Sequence, residues 1–354
     1  MTKTRVPDGQ TETFLQAFFR KFSEVFIYGK SMAPALTVLL IILIVFFSAA
    51  TEHFFSFTNF KAIVSNLPII AIMAVGMTFV LLIGGLDISV GSILGFTAVN
   101  VVLFHSIGFP IWAVVLASLA VGAILGSING FIITRIGINP VITTLGMMAF
   151  ARGLASWFSL DFEVLRVGRI FDQNFLLIAR QYLPPGTQII PITLIYIIAI
   201  YAMAMFVLKH TSYGRNVYAV GSNEYAARLA GINVNRIKFF SYMISGIMAS
   251  FAGVILVAQL SLGRDDAGLG SELEVITAVV LGGVSLAGGK GNLLGVILAV
   301  LTLGVIRNGM VHLEQATGLS YYWREVVKGL ILILAISIDA ARIMATKKKQ
   351  RTRQ

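Results

Sequence analysis

The sequence contains no cysteine, which removes disulfides, thiolate nucleophiles and cysteine-ligated metals from consideration. The four histidines, His53, His105, His210 and His312, are scattered and lack the spacing of a metal site. Charge is scarce too, at 12% of residues, where a soluble domain carries about a quarter. Acidic groups are so rare in the apolar runs that no chain of Asp, Glu and His is available to couple transport to protons or sodium. A phosphate cradle is also missing. Lys290 follows Gly289, but Gly291 stands where a phosphate loop needs Ser or Thr, and Val284 where it needs Gly. Nothing matches a Ser-His-Asp arrangement. These gaps point away from catalysis, resident metal and resident cofactor, and they leave any energy source to another chain.

What remains is apolar. Hydrophobic residues make up 57% of the chain and the mean hydropathy is +0.88, so the fold expected is an all-α integral membrane protein. About 20 apolar residues cross a bilayer as a helix. The runs that qualify are Ala33–Ala50, Leu67–Gly84, Ile88–Phe104, Ile111–Thr134, Val141–Phe158, Pro191–Leu208, Phe239–Leu260, Glu272–Ala287, Leu293–Arg307 and Glu325–Ala341. Asn66 before Leu67-Pro68, Asn139 before Pro140, and a Ser271/Glu274 capping box mark three of the starts. About ten spans put both termini on one side. Placing them inside puts roughly two thirds of the 27 Lys and Arg on that side, the positive-inside bias. The domains expected are a cytoplasmic basic leader (1–32), a membrane domain (33–341) with a cytoplasmic loop at 209–238, and a basic cytoplasmic tail (342–354). The net charge of +11 is explained by this bias and not by nucleic acid binding. The leader is too long for the head of a secretory signal, so the first run reads as a retained span. Outside, Ser159–Ile190 is the longest segment, with a turn at Pro184-Pro185-Gly186.

The polar stretch Gly214–Lys238, GRNVYAVGSNEYAARLAGINVNRIK, interrupts this pattern. Asn223 can cap a short helix over Glu224–Ala230, and Gly231 can stop it in the left-handed conformation. A rod of about seven residues is ~10 Å long and marginal by itself in water, so it requires a partner surface. Two glycine clusters, Gly84–Ser92 (GGLDISVGS) and Gly282–Gly291 (GGVSLAGGKG), predict broken or Gly-rich helices near the centre of the bundle. Asp87 is either a functional carboxylate at membrane depth or a cap for the helix that follows. The other polar residues of the spans are mostly neutral. Ser89, Ser92, Asn100, Asn129, Thr143 and Thr277 join Asp87 as candidates for a translocation path, and neutral hydroxyls and amides suit a polyol. The same groups also hold membrane helices together.

GGLDISVGS, the polar stretch, and LGGVSLAGGKGN occur in the order and at the intervals of the permease subunits of ribose-type sugar ABC importers, which the sequence resembles from about Phe57 to Asp339. The resemblance implies a permease in the bacterial inner membrane that dimerises with itself or a paralogue and contacts membrane lipid. It also implies two cytoplasmic ATPases that bind ATP and magnesium, and a periplasmic sugar-binding protein. Ser222, Asn223, Glu224, Ala226, Ala227, Arg228, Gly231 and Asn233 would then form the coupling helix seated in the ATPase. Two departures stand out: Arg307 in Ile306-Arg307-Asn308-Gly309, where the family tends to carry Asn, and Arg264-Asp265-Asp266 in an outer loop. Alternatives are a permease for branched-chain amino acids, which would need charge partners near the midplane, and an ion-coupled sugar carrier.

Overall fold

A computed structural model describes residues 32–161, 169–170, 172–185 and 189–351. Residues 1–31 of the leader, the last three residues of the tail and Gly186 of the expected turn lie outside the described residues. The chain is helical, with one minimal hairpin. In order run α1 (Ala33–Ala50), α2 (Phe57–Asn66), α3 (Pro68–Leu82), α4 (Val90–Ser106), α5 (Ile111–Phe131), a π-turn (Ile132–Ile136), α6 (Pro140–Asp161) and α7 (Gln173–Arg180). Strands β1 (Tyr182–Leu183) and β2 (Ile190–Pro191) pair antiparallel. Then come α8 (Ile192–His210), α9 (Ser212–Ser222), α10 (Glu224–Leu229), α11 (Val234–Leu260), α12 (Ser271–Leu281), α13 (Leu293–Thr317) and α14 (Tyr322–Arg351).

Among the described residues, six helices are long and apolar enough to cross a membrane, or up to seven with α2 and α3 counted as one span bent by 41°. The broken, glycine-rich helices expected near the centre are present, and they fall short of a full span. Helices α3, α4 and α12 have 15, 17 and 11 residues because each begins or ends at a proline break or a glycine cluster. The break in the second span has a chemical cause: Pro68 has no amide to continue α2, and α3 restarts from Leu67. At 11 residues α12 covers about 16 Å, half of the hydrocarbon core. The capping box expected there does not form. Gly270 (φ 77°) is the N-cap, and Ser271 is already helical, so it cannot accept from the first-turn amides.

Helix α3 is buried on all sides except at Ile69, which makes it the centre of the bundle. Helix α11 packs against it and against α5, where small residues let the backbones touch. A Cβ on Gly246 would sit 2.1 Å from the Gly122 carbonyl, and one on Gly126 would sit 2.4 Å from that of Tyr242. The segment after α11 does not stay at the end of the bundle. It turns at Ser261, which takes the left-handed conformation (φ 59°), and runs back along α4. Gly263 there abuts the Ala98 carbonyl and Gly268 the Gly91 carbonyl. Arg152 of α6 donates to the carbonyls of Asp265 and Ala267, and Ser156 donates to Asp265 at 2.8 Å. Arg264 pairs with Asp266 on the exposed side. The Arg-Asp-Asp run thus sits on a re-entrant segment. At the same end of α11, α7 is capped by Asp172, and its Arg180 donates to the Gln259 carbonyl and the Ser261 hydroxyl.

Candidate coupling and translocation site

Helix α10 forms as its residues dictate. The Asn223 carboxamide accepts from the Ala226 amide at 3.0 Å, Glu224 occupies the positive first turn, and Gly231 (φ 79°) ends the helix. Asn233 then caps α11 by accepting from Arg236 at 3.1 Å. Glu224 receives Lys238 at 2.6 Å and Arg228 at 2.8 Å, and Arg228 also reaches Asn235 at 3.2 Å. The Lys238 hydrogen bond, above all, holds the Glu224 carboxyl below the usual carboxylate range; burial opposes it, and the Arg228 hydrogen bond adds a smaller lowering. Ala227 turns inward and is buried. Tyr225 (73% exposed) and Leu229 (74%) lie four residues apart on the outer face, an apolar pair that the chain itself leaves uncovered. Sequence reasoning selected Glu224, Ala226, Ala227 and Arg228 of this helix and missed that pair, although the i, i+4 spacing was there to find.

Behind α10 three backbone segments meet. The Gly289 amide donates to the Leu82 carbonyl at 2.8 Å, which joins the second glycine cluster to the end of α3. Gly221, one residue before the end of α9, fits between them. A Cβ there would sit 1.8 Å from the Leu82 oxygen and 2.5 Å from the Gly289 nitrogen. A Cβ on Gly288 (φ 84°) would sit 2.8 Å from the Gly84 nitrogen and 2.9 Å from the Gly221 carbonyl, and Gly289 (φ 71°) packs on Ser222. Tyr218 of α9 adds a hydrogen bond to the Gly291 carbonyl at 3.1 Å. Only hydrogen side chains allow this approach. The two glycine clusters, far apart in sequence, are neighbours here, and α9–α10 rests on both.

Four of the seven path candidates fall in one cluster. Asp87, fully buried, accepts from the Ser89 amide (3.0 Å), the Ser89 hydroxyl (2.6 Å) and the Ser245 hydroxyl of α11 (2.7 Å). Asn129 of α5 donates to the Ser89 hydroxyl at 3.0 Å and keeps a buried, unpartnered Oδ1. Ser92 bonds back to the Ser89 carbonyl at 2.8 Å. Asp87 is thus not the N-cap of the next helix, which is Ser89. It organises the turn before that helix and lashes it to α11. The other three lie elsewhere. Thr143 and Thr277 bond carbonyls of their own helices (Asn139 at 3.1 Å, Leu273 at 2.6 Å), and Asn100 is buried in α4 with an unpartnered amide. Asp339 of α14 is a buried carboxylate that sequence reasoning passed over. It accepts from the Leu286 amide at 3.2 Å and the Ser285 hydroxyl at 3.4 Å, and so anchors the second glycine cluster as Asp87 anchors the first.

Residues 59–336 match the family model described as the permease component of the branched-chain amino acid transport system. The chain belongs to that permease family. The ribose import permease RbsC of Escherichia coli K12 is 39% identical over 303 residues, 85% of this chain and 92% of that protein. RbsC of Haemophilus influenzae is 37% identical over 88% of this chain and 93% of its own. The fructose import permease FrcC of Rhizobium meliloti is 32% identical over 94% of this chain and 90% of its own. A solved inward-facing ABC transporter of the metal-chelate type aligns over 92% of this chain and 99% of that one, with 13% identity and a TM-score of 0.47. As a member of this permease family with several membrane-length helices, the chain is a multi-pass membrane protein.

Proposed function

We propose that the chain is the membrane permease of an ATP-driven importer in the bacterial inner membrane, carrying a sugar handed over by a periplasmic binding protein. The relatives that match it over most of its length are permeases for ribose and fructose, so the amino acid name of the broader family is not the best guide to its solute. ATP hydrolysis belongs to a separate ATPase that holds ATP and magnesium. Two permease copies, or this chain and a paralogue, form the conduit. Both termini and α10 face the cytoplasm, in keeping with the distribution of Lys and Arg. The count of ten crossings is kept by treating α2–α3 as one bent span and the re-entrant segment with α12 as one broken span.

The observation that carries this reading is the seat of the end of α9, which leads directly into α10, on both glycine clusters. Tyr225 and Leu229 are the face offered to the ATPase, and covering a leucine contributes about 2 kcal/mol. When the ATPases close on ATP they displace α10, and Gly221 passes that displacement to Leu82 and Gly289 without an intervening flexible side chain. Close-packed contacts of this kind move as rigid bodies. Asp87 and Asp339 keep the two clusters attached to α11 and α14 while they move.

Co-expression with the ATPase tests the reading. Replacing Tyr225 and Leu229 together by Ala is expected to abolish co-purification of the ATPase and sugar uptake while membrane insertion persists. Undiminished ATPase binding by that variant would refute it.

A further inference from the structure

At the far end of α3 from the glycine junction, the bent span leaves a cleft of about 90 Å³ whose lining includes Asn66, Glu274, Arg307 and Asn308. Leu67, the hinge residue, is pressed there against α13, where a Cβ on Gly304 would sit 2.6 Å from it. Arg307 lies about 21 Å along α13 from its start beside the junction, well within the depth of a hydrocarbon core of about 30 Å. Its side chain is 46% exposed. A guanidinium at that depth is strongly disfavoured against lipid tails, so this face of α13 borders water or a second copy of the chain.

The polar groups of the cleft are unusually underused. Among the described residues the only hydrogen bond of the Arg307 side chain is to Glu274 Oε1 at 3.4 Å, long for a charge-assisted contact. Glu274 is only 13% exposed and has no other side-chain partner among the described residues. Asn308 Oδ1 is buried with no partner at all. The cleft therefore holds spare guanidinium donors beside the two oxygens of the Glu274 carboxylate, an arrangement that complements hydroxyl groups, each both donor and acceptor.

We propose that this cleft binds the hydroxyl-bearing edge of a neutral sugar during its passage. The inference rests on the transport reading and adds a location and a charge class to it. Arg307 and Glu274 sum to zero charge, so a neutral ring can bridge them without separating the pair. A sugar acid would draw Arg307 away and meet the Glu274 carboxylate at close range. The cavity volume corresponds to about three water molecules. It takes two or three hydroxyls displacing those waters, with the rest of the ring in the open mouth.

Equilibrium binding of tritiated ribose, fructose and galactose to the purified full-length chain in lipid nanodiscs tests this directly, with D-ribonate as competitor. At least one neutral sugar is expected to bind, with affinity falling at least tenfold in Arg307→Ala and in Glu274→Gln. An excess of ribonate is expected not to displace the bound sugar. ATPase co-purification, measured on the same variants, is expected to stay at the wild-type level, which separates a lost solute contact from a lost fold. Equal sugar binding by wild type and the Arg307 and Glu274 variants, or no binding by wild type, would overturn the cleft assignment and leave the permease reading standing. Stronger displacement by ribonate than by ribose itself would overturn the charge class. Absence of ATPase-dependent uptake of all three sugars in cells would instead count against the permease reading.

Discussion

The carboxylate of Asp87 meets two hydroxyls and an amide at 2.6 to 3.0 Å and is fully buried, whereas the Arg307–Glu274 pair meets at 3.4 Å with the guanidinium nearly half exposed. The first cluster lies by the junction that supports α10, the second some 20 Å away at the bent span. Saturated hydrogen bonds hold helices in one arrangement, because breaking them leaves buried groups without partners. Unsaturated ones leave room for a guest. The Asp87 carboxylate thus ties the turn before α4 to α11, and on the proposed reading the loosely held Arg307–Glu274 pair is the one left free to meet a solute.

Substitutions sharpen that contrast, beginning with the most damaging. Gly221→Val drives a branched side chain into the Leu82 carbonyl and the Gly289 amide, with no flexible group to give way. A loss of about 3 kcal/mol or more is expected, visible as a large drop in thermal midpoint together with loss of ATPase co-purification. Asp87→Ala strands the Ser89 and Ser245 hydroxyls and is expected to cost about 2 kcal/mol, while Asp87→Asn keeps an acceptor and costs well under half of that. If Asp87→Asn abolishes uptake with stability intact, the carboxylate has a role in the solute path beyond tethering. Asn223→Ala removes the α10 cap and is expected to cost about 1 kcal/mol, read as a roughly fivefold weaker association with the ATPase. The smallest effect concerns pH. Because Lys238 and Arg228 depress the Glu224 carboxyl below its ordinary value of 4.5, its contribution to stability is fully present above that value. It is lost only as the pH falls through the lower folded value. ATPase binding is therefore expected to be flat between pH 8 and 6 as far as Glu224 is concerned, and Glu224→Gln should remove any acid-side decline that this residue causes.

Much of this was legible beforehand where a local rule decides. Asn223, Gly231 and Asn139 did what their side chains dictate at helix ends, and the apolar runs marked nearly every long helix. Failures occurred where tertiary contacts decide. Phe57–Asn66 forms a helix that carries too little apolar character to announce itself, and α12 stops at Leu281 because Gly282 must fit against α13. The return of residues 261–270 along α4 depends on carbonyls of Gly91 and Ala98 that no periodicity shows. Ser271 lost its capping role to Gly270, whose positive φ is set by the same return. Asp339 was hidden because a lone carboxylate in a span has no partner in its own stretch of sequence.

The chain's lack of cysteine makes the central claim directly measurable. With Leu229→Cys as the single thiol, the account predicts that a bifunctional crosslinker joins it to the ATPase. It also predicts that a membrane-impermeant maleimide applied to intact cells fails to label it. Labelling from outside, or a thiol that never crosslinks while the complex is assembled, would contradict it.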